Sequence, residues 1–247
     1  MKLLVLAAGY ATRLYPLTLN QPKPLLKIAG KPMIEHVLDR VLPVGGIDEV
    51  YVVTNNKFAP HFEEWAGSYA AADGVKVTVI NDESTNDENK LGAIGDTHLV
   101  IQKQEVDDDL IVVAGDNLFS EDLTGFGETC REKGTPILGL YDVGSTDAAK
   151  PYSAVELAED GRLIDFVEKP ENPKTSLIGI ALYFYPKDFV AKVGEYVAAG
   201  NNPDQPGRLI QWLYPQTPVH TWTVPGDWFD IGSKETLDEA DKVFSAR

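Results

Sequence analysis

The chain has 247 residues, 43% hydrophobic and 24% charged, which is ordinary globular usage and length enough for a substantial core. Thirty-eight acidic against 22 basic residues leave a net charge of −16, a balance that excludes nucleic acid and anionic membrane as partners. One cysteine, Cys130, excludes internal disulfides and cysteine zinc sites, and no apolar run approaches the ~20 residues of a membrane span.

Lys2 to Ala8 reads as a buried strand stopping at Gly9. Its apolar run is too short for a secretory signal, so the cytoplasm is the expected location. Met33 to Leu42 has apolar residues at helical spacing, with Pro32 as the first helical residue. A strand follows at Glu49 to Thr54, a helix at Phe58 to Ala72, and a strand at Lys76 to Ile80. A polar loop covers Asn81 to Asn89, a helix Ile94 to Gln104, and a strand Leu110 to Ala114 ends on Gly115-Asp116-Asn117. A helix near Glu121 to Lys133 and a strand Pro136 to Tyr141 complete this half.

The second half changes rhythm. Tyr152 to Leu157 and Leu163 to Val167 form a hairpin around Glu159-Asp160-Gly161. A strand at Leu177 to Tyr185 precedes helices at Lys187 to Ala199 and Gly207 to Tyr214. Short strands at Val219 to Val224 and Trp228 to Ile231 lead to a last helix ending about Phe244, capped by Ser233.

The βαβα order of the first half predicts an α/β, Rossmann-like fold: a mostly parallel mixed sheet flanked by helices. We expect one continuous domain over 1–247, whose second half is an inserted mixed α/β part. Such sheets bind ligands beyond the carboxyl ends of their strands. The segments after those ends therefore carry the functional reading.

The first of them is Leu6 to Leu26, LAAGYATRLYPLTLNQPKPLL. Backbone N–H groups of a glycine turn face anions well, Arg13 offers a planar fork, and Lys23 a compact charge stiffened by Pro22 and Pro24. Five basic residues and no acid fall in the first 34 positions. Any one of these cations alone reads as surface charge; together they read as a phosphate cradle. It is neither GxxxxGK[ST] nor GxGxxG.

The segment resembles the signature of the sugar-phosphate nucleotidylyltransferases, L-A-G-G-x-G-T-R-L-x-P-L-T followed by K-P-L, with Ala8 and Ala11 in place of glycines. The resemblance continues in Leu91-Gly92-Ala93-Ile94-Gly95-Asp96, Val113-Ala114-Gly115-Asp116-Asn117, Glu168-Lys169-Pro170 and Trp228-Phe229-Asp230-Ile231-Gly232. Five strings in family order, at strand ends or adjoining loops, make it specific. The short glucose-1-phosphate thymidylyltransferase-like enzymes are the part of the family it most resembles. It implies the nucleotide-diphospho-sugar transferase type of fold, with 1–145 as the nucleotide-binding part and 146–247 as the sugar-phosphate-binding and closing part, and transfer of a nucleotidyl group from an NTP to a sugar 1-phosphate, releasing pyrophosphate.

The resemblance also implies roles. Arg13 grips the leaving phosphates and Lys23 the α-phosphate. Leu6, Ala8, Gly9, Thr12, Asn81 and Gly92 surround the nucleotide. Tyr152, Glu168, Lys169, Gly179 and Trp228 surround the sugar phosphate, although Gly179 reads equally well as core packing. Asp116 and Asp230 hold one Mg²⁺. A phosphate monoester is already mostly ionised at neutral pH, so no general base is needed and all four histidines read as structural. Two departures stand out. The loop before Gly92 lacks the glutamine that often selects thymidine or uridine nucleotides, leaving Asn81 or Asn89. Tyr152-Ser153 stands where Tyr-Gly is common. Asp107-Asp108-Asp109 resembles the DxD of glycosyltransferases but precedes its strand, on the edge away from the ligand crevice, and reads as a solvated turn. Alternative readings are transfer to another phosphate acceptor such as phosphocholine, a nucleotide-sugar glycosyltransferase, or a non-catalytic regulatory subunit. A homo-oligomer is compatible with the sequence.

Overall fold

The computed structural model describes residues 1–69 and 74–246. Its strands are β1 (Lys2–Leu6), β2 (Lys27–Ile28), β3 (Lys31–Pro32), β4 (Glu49–Thr54), β5 (Lys76–Asn81), β6 (Leu110–Ala114) and β7 (Asn117–Phe119). They continue as β8 (Ile137–Asp142), β9 (Ser153–Leu157), β10 (Leu163–Glu168), β11 (Leu177–Tyr185), β12 (His220–Thr223) and β13 (Trp228–Asp230). The helices are α1 (Met33–Val41), α2 (Ala59–Ser68), α3 (Ala93–Lys103), α4 (Thr124–Lys133), α5 (Thr146–Ala149), α6 (Lys187–Ala198), α7 (Gly207–Leu213) and α8 (Lys234–Ser245).

Four strands, β6-β1-β4-β5, lie parallel and side by side. Their sequences are almost wholly apolar because both faces are covered. In β1, Leu3 and Val5 enter one core and Leu4 the other, as the two-residue strand period requires. β11 runs antiparallel to β6 and ties the second half into the same sheet, carrying β9-β10 and β8-β12. α1 buries Met33, Ile34, Val37, Leu38 and Val41, an i, i+3, i+4 stripe. No described helix is long and apolar enough to cross a membrane.

Three local features shape the site. β11 pairs β9 at Ile178 and Gly179 but β6 only from Leu182 to Tyr185, so the sheet forks between these two partners. Opposite the fork, β11 bulges: Gly179 pairs Leu140 and Tyr183 pairs Leu138, leaving Ile180, Ala181 and Leu182 against Gly139. The third feature is a separate ribbon of β7 with β13, in which Asp230 lies opposite Asn117.

α8 is fixed at its start by a capping box: the Thr236 N–H donates to Ser233 Oγ at 3.3 Å, and the Ser233 N–H to Thr236 Oγ1 at 3.1 Å. It then packs against the first half, where Asp241 accepts from the Ala29 N–H at 2.8 Å and Phe244 meets His36 edge-on.

Some expectations need correction. Pro32 is not the first helical residue; its ψ of 138° is extended, and it pairs with Lys27 in β3 before α1 begins. α4 starts at Thr124 rather than Glu121, because Asp122 turns back to accept the Thr124 N–H at 3.0 Å. α2 covers Ala59–Ser68; positions 70–72 of the expected helix lie outside the described residues.

Candidate active site

The carboxyl ends of β1 and β6, the start of α3 and the fork in β11 enclose a cavity of about 410 Å³. That volume lies in the usual range for small-molecule sites, roughly 300–1,000 Å³. Leu6, Ala8, Gly9 and Gly92 line it, as do Tyr152, Glu168, Lys169, Gly179 and Trp228. Asp116 and Asp230 also reach it. Thr12, Arg13, Lys23 and Asn81 lie outside this lining.

The metal candidates are far apart in sequence, and the β7–β13 ribbon joins them. The Ile231 N–H donates to the Asp116 carbonyl at 3.2 Å. Burial raises the pKa of Asp230, and the Asp116 charge raises it further, while Lys23 and Arg13 pull it down. Trp228 Nε1 donates to Asn117 Oδ1 at 3.1 Å, and Asn117 Nδ2 donates to Asp116 Oδ1 at 3.1 Å. A buried indole thus orients the carboxylate through one amide, so Asn117 is a positioning residue. Among the described residues no cluster of three or more His, Cys, Asp and Glu side chains is placed to bind a metal. Two hard oxygen donors, with room for phosphate and water, suit Mg²⁺, which usually keeps several non-protein ligands.

Lys23 lies behind Asp116. Its ammonium pairs with Asp116 Oδ2 and donates to the Ile231 carbonyl. This close approach needs Gly115, where a Cβ would stand 3.1 Å from Val5 Cγ1 and 3.2 Å from Pro24 Cγ. Arg13 is exposed on the Asp230 side, its Nη1 4.0 Å from where a Cβ on Gly232 would stand. It makes no ion pair with any described residue.

Ala11, just before Arg13, adopts φ 48° and ψ 41°, the left-handed region. Its carbonyl accepts from Thr18 Oγ1 at 2.8 Å and the Leu14 N–H at 3.0 Å, which hold it there. This conformation costs alanine roughly 1 kcal/mol more than glycine. Ala11→Gly should therefore stabilise the fold by about 0.5–1 kcal/mol in urea unfolding; an unchanged or lower midpoint would refute the strain.

At the sugar end, Ser153 Oγ donates to Glu168 Oε2, so the serine that departs from the family pattern occupies one carboxylate oxygen. Lys169 has a φ of 46°, held by its N–H bond to the Tyr152 carbonyl at 3.0 Å. Tyr152 packs edge-on against Trp228, with ring centroids 5.7 Å apart. A Cβ on Gly179 would stand 3.1 Å from Leu138 Cδ2, so this glycine both lines the cavity and packs closely on the core.

Residues 2–246 match the family model for nucleotidyl transferases. The chain belongs to the nucleotidyl transferase family. It is 26% identical to the bifunctional protein GlmU of Methanocaldococcus jannaschii, over 98% of this chain and 54% of that protein. The chain thus spans about half the length of that relative. It is 29% identical to the UTP–glucose-1-phosphate uridylyltransferase AglF of Haloferax volcanii, over 98% of this chain and 96% of that one. In fold it superposes on a UDP-glucose pyrophosphorylase complexed with UDP-glucose with a TM-score of 0.80, at 20% identity, covering 99% of this chain and 98% of that one.

In this family member the loop asparagines build turns instead of reaching the cavity. Asn81 donates to Asn56 Oδ1 at 3.0 Å and accepts the Glu83 N–H at 2.7 Å. Asn89 accepts the Thr85 and Asn86 N–H groups at 2.9 and 3.0 Å. Asp107 and Asp109 lie at the amino end of β6, away from the cavity, and bind Lys187 through its ammonium and its backbone N–H. None of the four histidines lines the cavity.

Sequence reasoning missed Asp87, Lys90, Asp204 and Gln205, which also line it. Lys90 bridges Asp204 at 3.1 Å and Asp87 at 3.4 Å. The segment around Asp204 is a Pro/Gly-rich turn with no periodicity to mark it. Asp96 gave a readable signal: a carboxylate in the apolar stretch of α3. It is 4% exposed, and burial together with neighbouring Asp82 pushes its pKa from 3.8 up to about 8.

This shift has a defined sign. The unfolded chain loses the Asp96 proton near pH 4, and the folded chain keeps it to about pH 8. Stability from this group is therefore full below pH 4 and falls as pH rises toward 8. Asp96→Asn removes that slope. We expect its stability relative to the parent to improve by about 2 kcal/mol or more between pH 4.5 and 8 in urea titrations. An equal difference at both values would refute it.

Proposed function

We propose that this chain transfers a nucleotidyl group from an NTP to a sugar 1-phosphate with Mg²⁺, releasing pyrophosphate, as a glucose-1-phosphate thymidylyltransferase-like enzyme. The observation that carries the reading is the convergence of Asp116, Asp230, Lys23 and Arg13 about the β7–β13 ribbon, with both aspartates lining a cavity that Glu168 and Lys169 also line. Family membership and the uridylyltransferase AglF support it.

The chemistry is the approach of one phosphate anion to another. Two unit charges at 4 Å repel by roughly 4 kcal/mol at an effective dielectric of ~20, so positioned cations carry most of the catalysis. Lys169 holds the attacking sugar phosphate, and Glu168 accepts from sugar hydroxyls with the oxygen that Ser153 leaves free. Lys23 balances charge at the α-phosphate, and Arg13 draws off the β- and γ-phosphates. Asp116 and Asp230 would hold Mg²⁺, which when bound neutralises phosphate charge. The nucleophile arrives ionised, so no proton transfer is required.

The test is pyrophosphate release with Mg²⁺, each common NTP and a panel of sugar 1-phosphates. We expect release with glucose 1-phosphate and dTTP or UTP. No release above background with any pair would overturn the reading and favour a non-catalytic role.

A further inference from the structure

The segments carrying the two candidate metal ligands are already bridged by a cation of the chain itself. Lys23 Nζ pairs with Asp116 Oδ2 and donates to the carbonyl of Ile231, the residue after Asp230. One ammonium thus spans the strand ends that a metal ion between Asp116 and Asp230 would span. Asp116 Oδ1 is taken as well, accepting from Asn117 Nδ2 at 3.1 Å. Both oxygens of this carboxylate are bonded inside the chain.

A stiff backbone delivers the lysine to that place. It opens one tight turn, Lys23–Leu25, with Pro22 before it and Pro24 inside it. The Leu26 N–H closes the turn on the Lys23 carbonyl at 3.0 Å. The Lys23 side chain is only 14% exposed and that of Asp116 23%, so water and salt screen the pair incompletely. Arg13 differs: it is exposed, and its charge acts on Asp230 from a distance.

A divalent ion ligated by Asp116 would share the carboxylate with this ammonium, and two cations on one carboxylate repel. A polyphosphate changes the balance. It offers Lys23 other anionic oxygens and brings negative charge to the metal.

We propose that Lys23 is an internal competitor for the metal: its ammonium holds the cation position on Asp116, and a divalent ion displaces it only when phosphate oxygens take the lysine over. The free chain then binds Mg²⁺ weakly, and metal and nucleotide enter together. Lys23 has two stations, Asp116 before the triphosphate arrives and the α-phosphate afterwards. The linkage is reciprocal: whatever factor the nucleotide adds to metal affinity, the metal adds to nucleotide affinity. This inference rests on the metal and nucleotide roles proposed above.

The test is equilibrium binding of Mn²⁺ alone, an ion that favours the same oxygen donors, to the full chain without nucleotide. The paramagnetic resonance signal of the free ion follows it. Lys23→Met and Lys23→Gln both remove the ammonium and should bind Mn²⁺ at least fivefold more tightly than the parent. The glutamine variant keeps a donor for the Ile231 carbonyl, so the comparison survives if the methionine variant unfolds. Arg13→Gln removes an equal charge that is not bonded to Asp116 and should gain less than the Lys23 variants. Adding Asp116→Asn to Lys23→Gln should abolish the gain. A gain under fivefold, in whichever Lys23 variant folds, overturns the proposal. An equal gain in Arg13→Gln also overturns it, because the effect is then one of net charge, and so does a gain that survives Asp116→Asn. Pyrophosphate release by the parent is scored separately. Tighter Mn²⁺ binding without release leaves the competition standing and refutes only the catalytic reading; release with unchanged Mn²⁺ binding does the reverse.

Discussion

Asp116→Asn should lower the rate of pyrophosphate release at least about 10²-fold while the protein stays folded. The substitution keeps the side chain's shape and its contact with Asn117 but removes one of two carboxylate charges at the site. Two effects on stability oppose each other. The ion pair with Lys23 is lost, and the repulsion that raises Asp230 is relieved. Partly exposed pairs of this kind are worth about 0–1 kcal/mol, so the melting temperature should move little. The informative pair of measurements is turnover in Mg²⁺ and thermal unfolding on one preparation. Near-parental turnover would remove Asp116 from the machinery. Loss of turnover together with a large fall in melting temperature would make its role structural.

Gly92→Ala should be the most destabilising single methyl addition in the cavity wall. Gly92 has φ +79°, and a Cβ there would stand 2.6 Å from Asp204 Cα and 2.7 Å from the Pro203 carbonyl oxygen. Both obstacles are backbone, so neither can rotate away. The same two residues accept the first N–H groups of α3: Ala93 to the Asp204 carbonyl at 3.2 Å and Ile94 to the Pro203 carbonyl at 2.8 Å. Left-handed strain of roughly 1 kcal/mol adds to an overpacking cost of about 1–3 kcal/mol. A total near 2–4 kcal/mol corresponds to roughly 5–15 °C in melting temperature for a chain of this size. A shift under ~2 °C would show that the turn at Pro203 and Asp204 yields freely.

Long, fully covered strands were legible in sequence. β4, β6 and β11 match their expected bounds because an apolar, β-branched run bounded by polar residues has only one comfortable state. Family strings brought Asp116, Asp230, Glu168 and Lys169 to one cavity. What escaped notice depends on distant partners. β7 has three residues, too few for a period, yet its pairing with the expected strand at Trp228 joins the two aspartates. The β2–β3 hairpin turns at Ala29 and Gly30, both with positive φ, and alanine is a poor advertisement for such a turn. The Asp82–Asp96 pair unites a strand end with a helix, and no spacing encodes it.

The bulge in β11 has a consequence for how this cavity tolerates changes in chain length. Between the pairings of Gly179 with Leu140 and Tyr183 with Leu138, β11 advances four residues while β8 retreats two. The surplus is even, so side-chain parity survives it: Ile178, Ile180, Leu182 and Phe184 all enter one core, and Leu177, Ala181, Tyr183 and Tyr185 adjoin the other. Removing or adding one residue here would exchange the two sets and turn the tyrosines into the wrong layer. Length in this wall is quantised in pairs, each worth about 6.8 Å of strand.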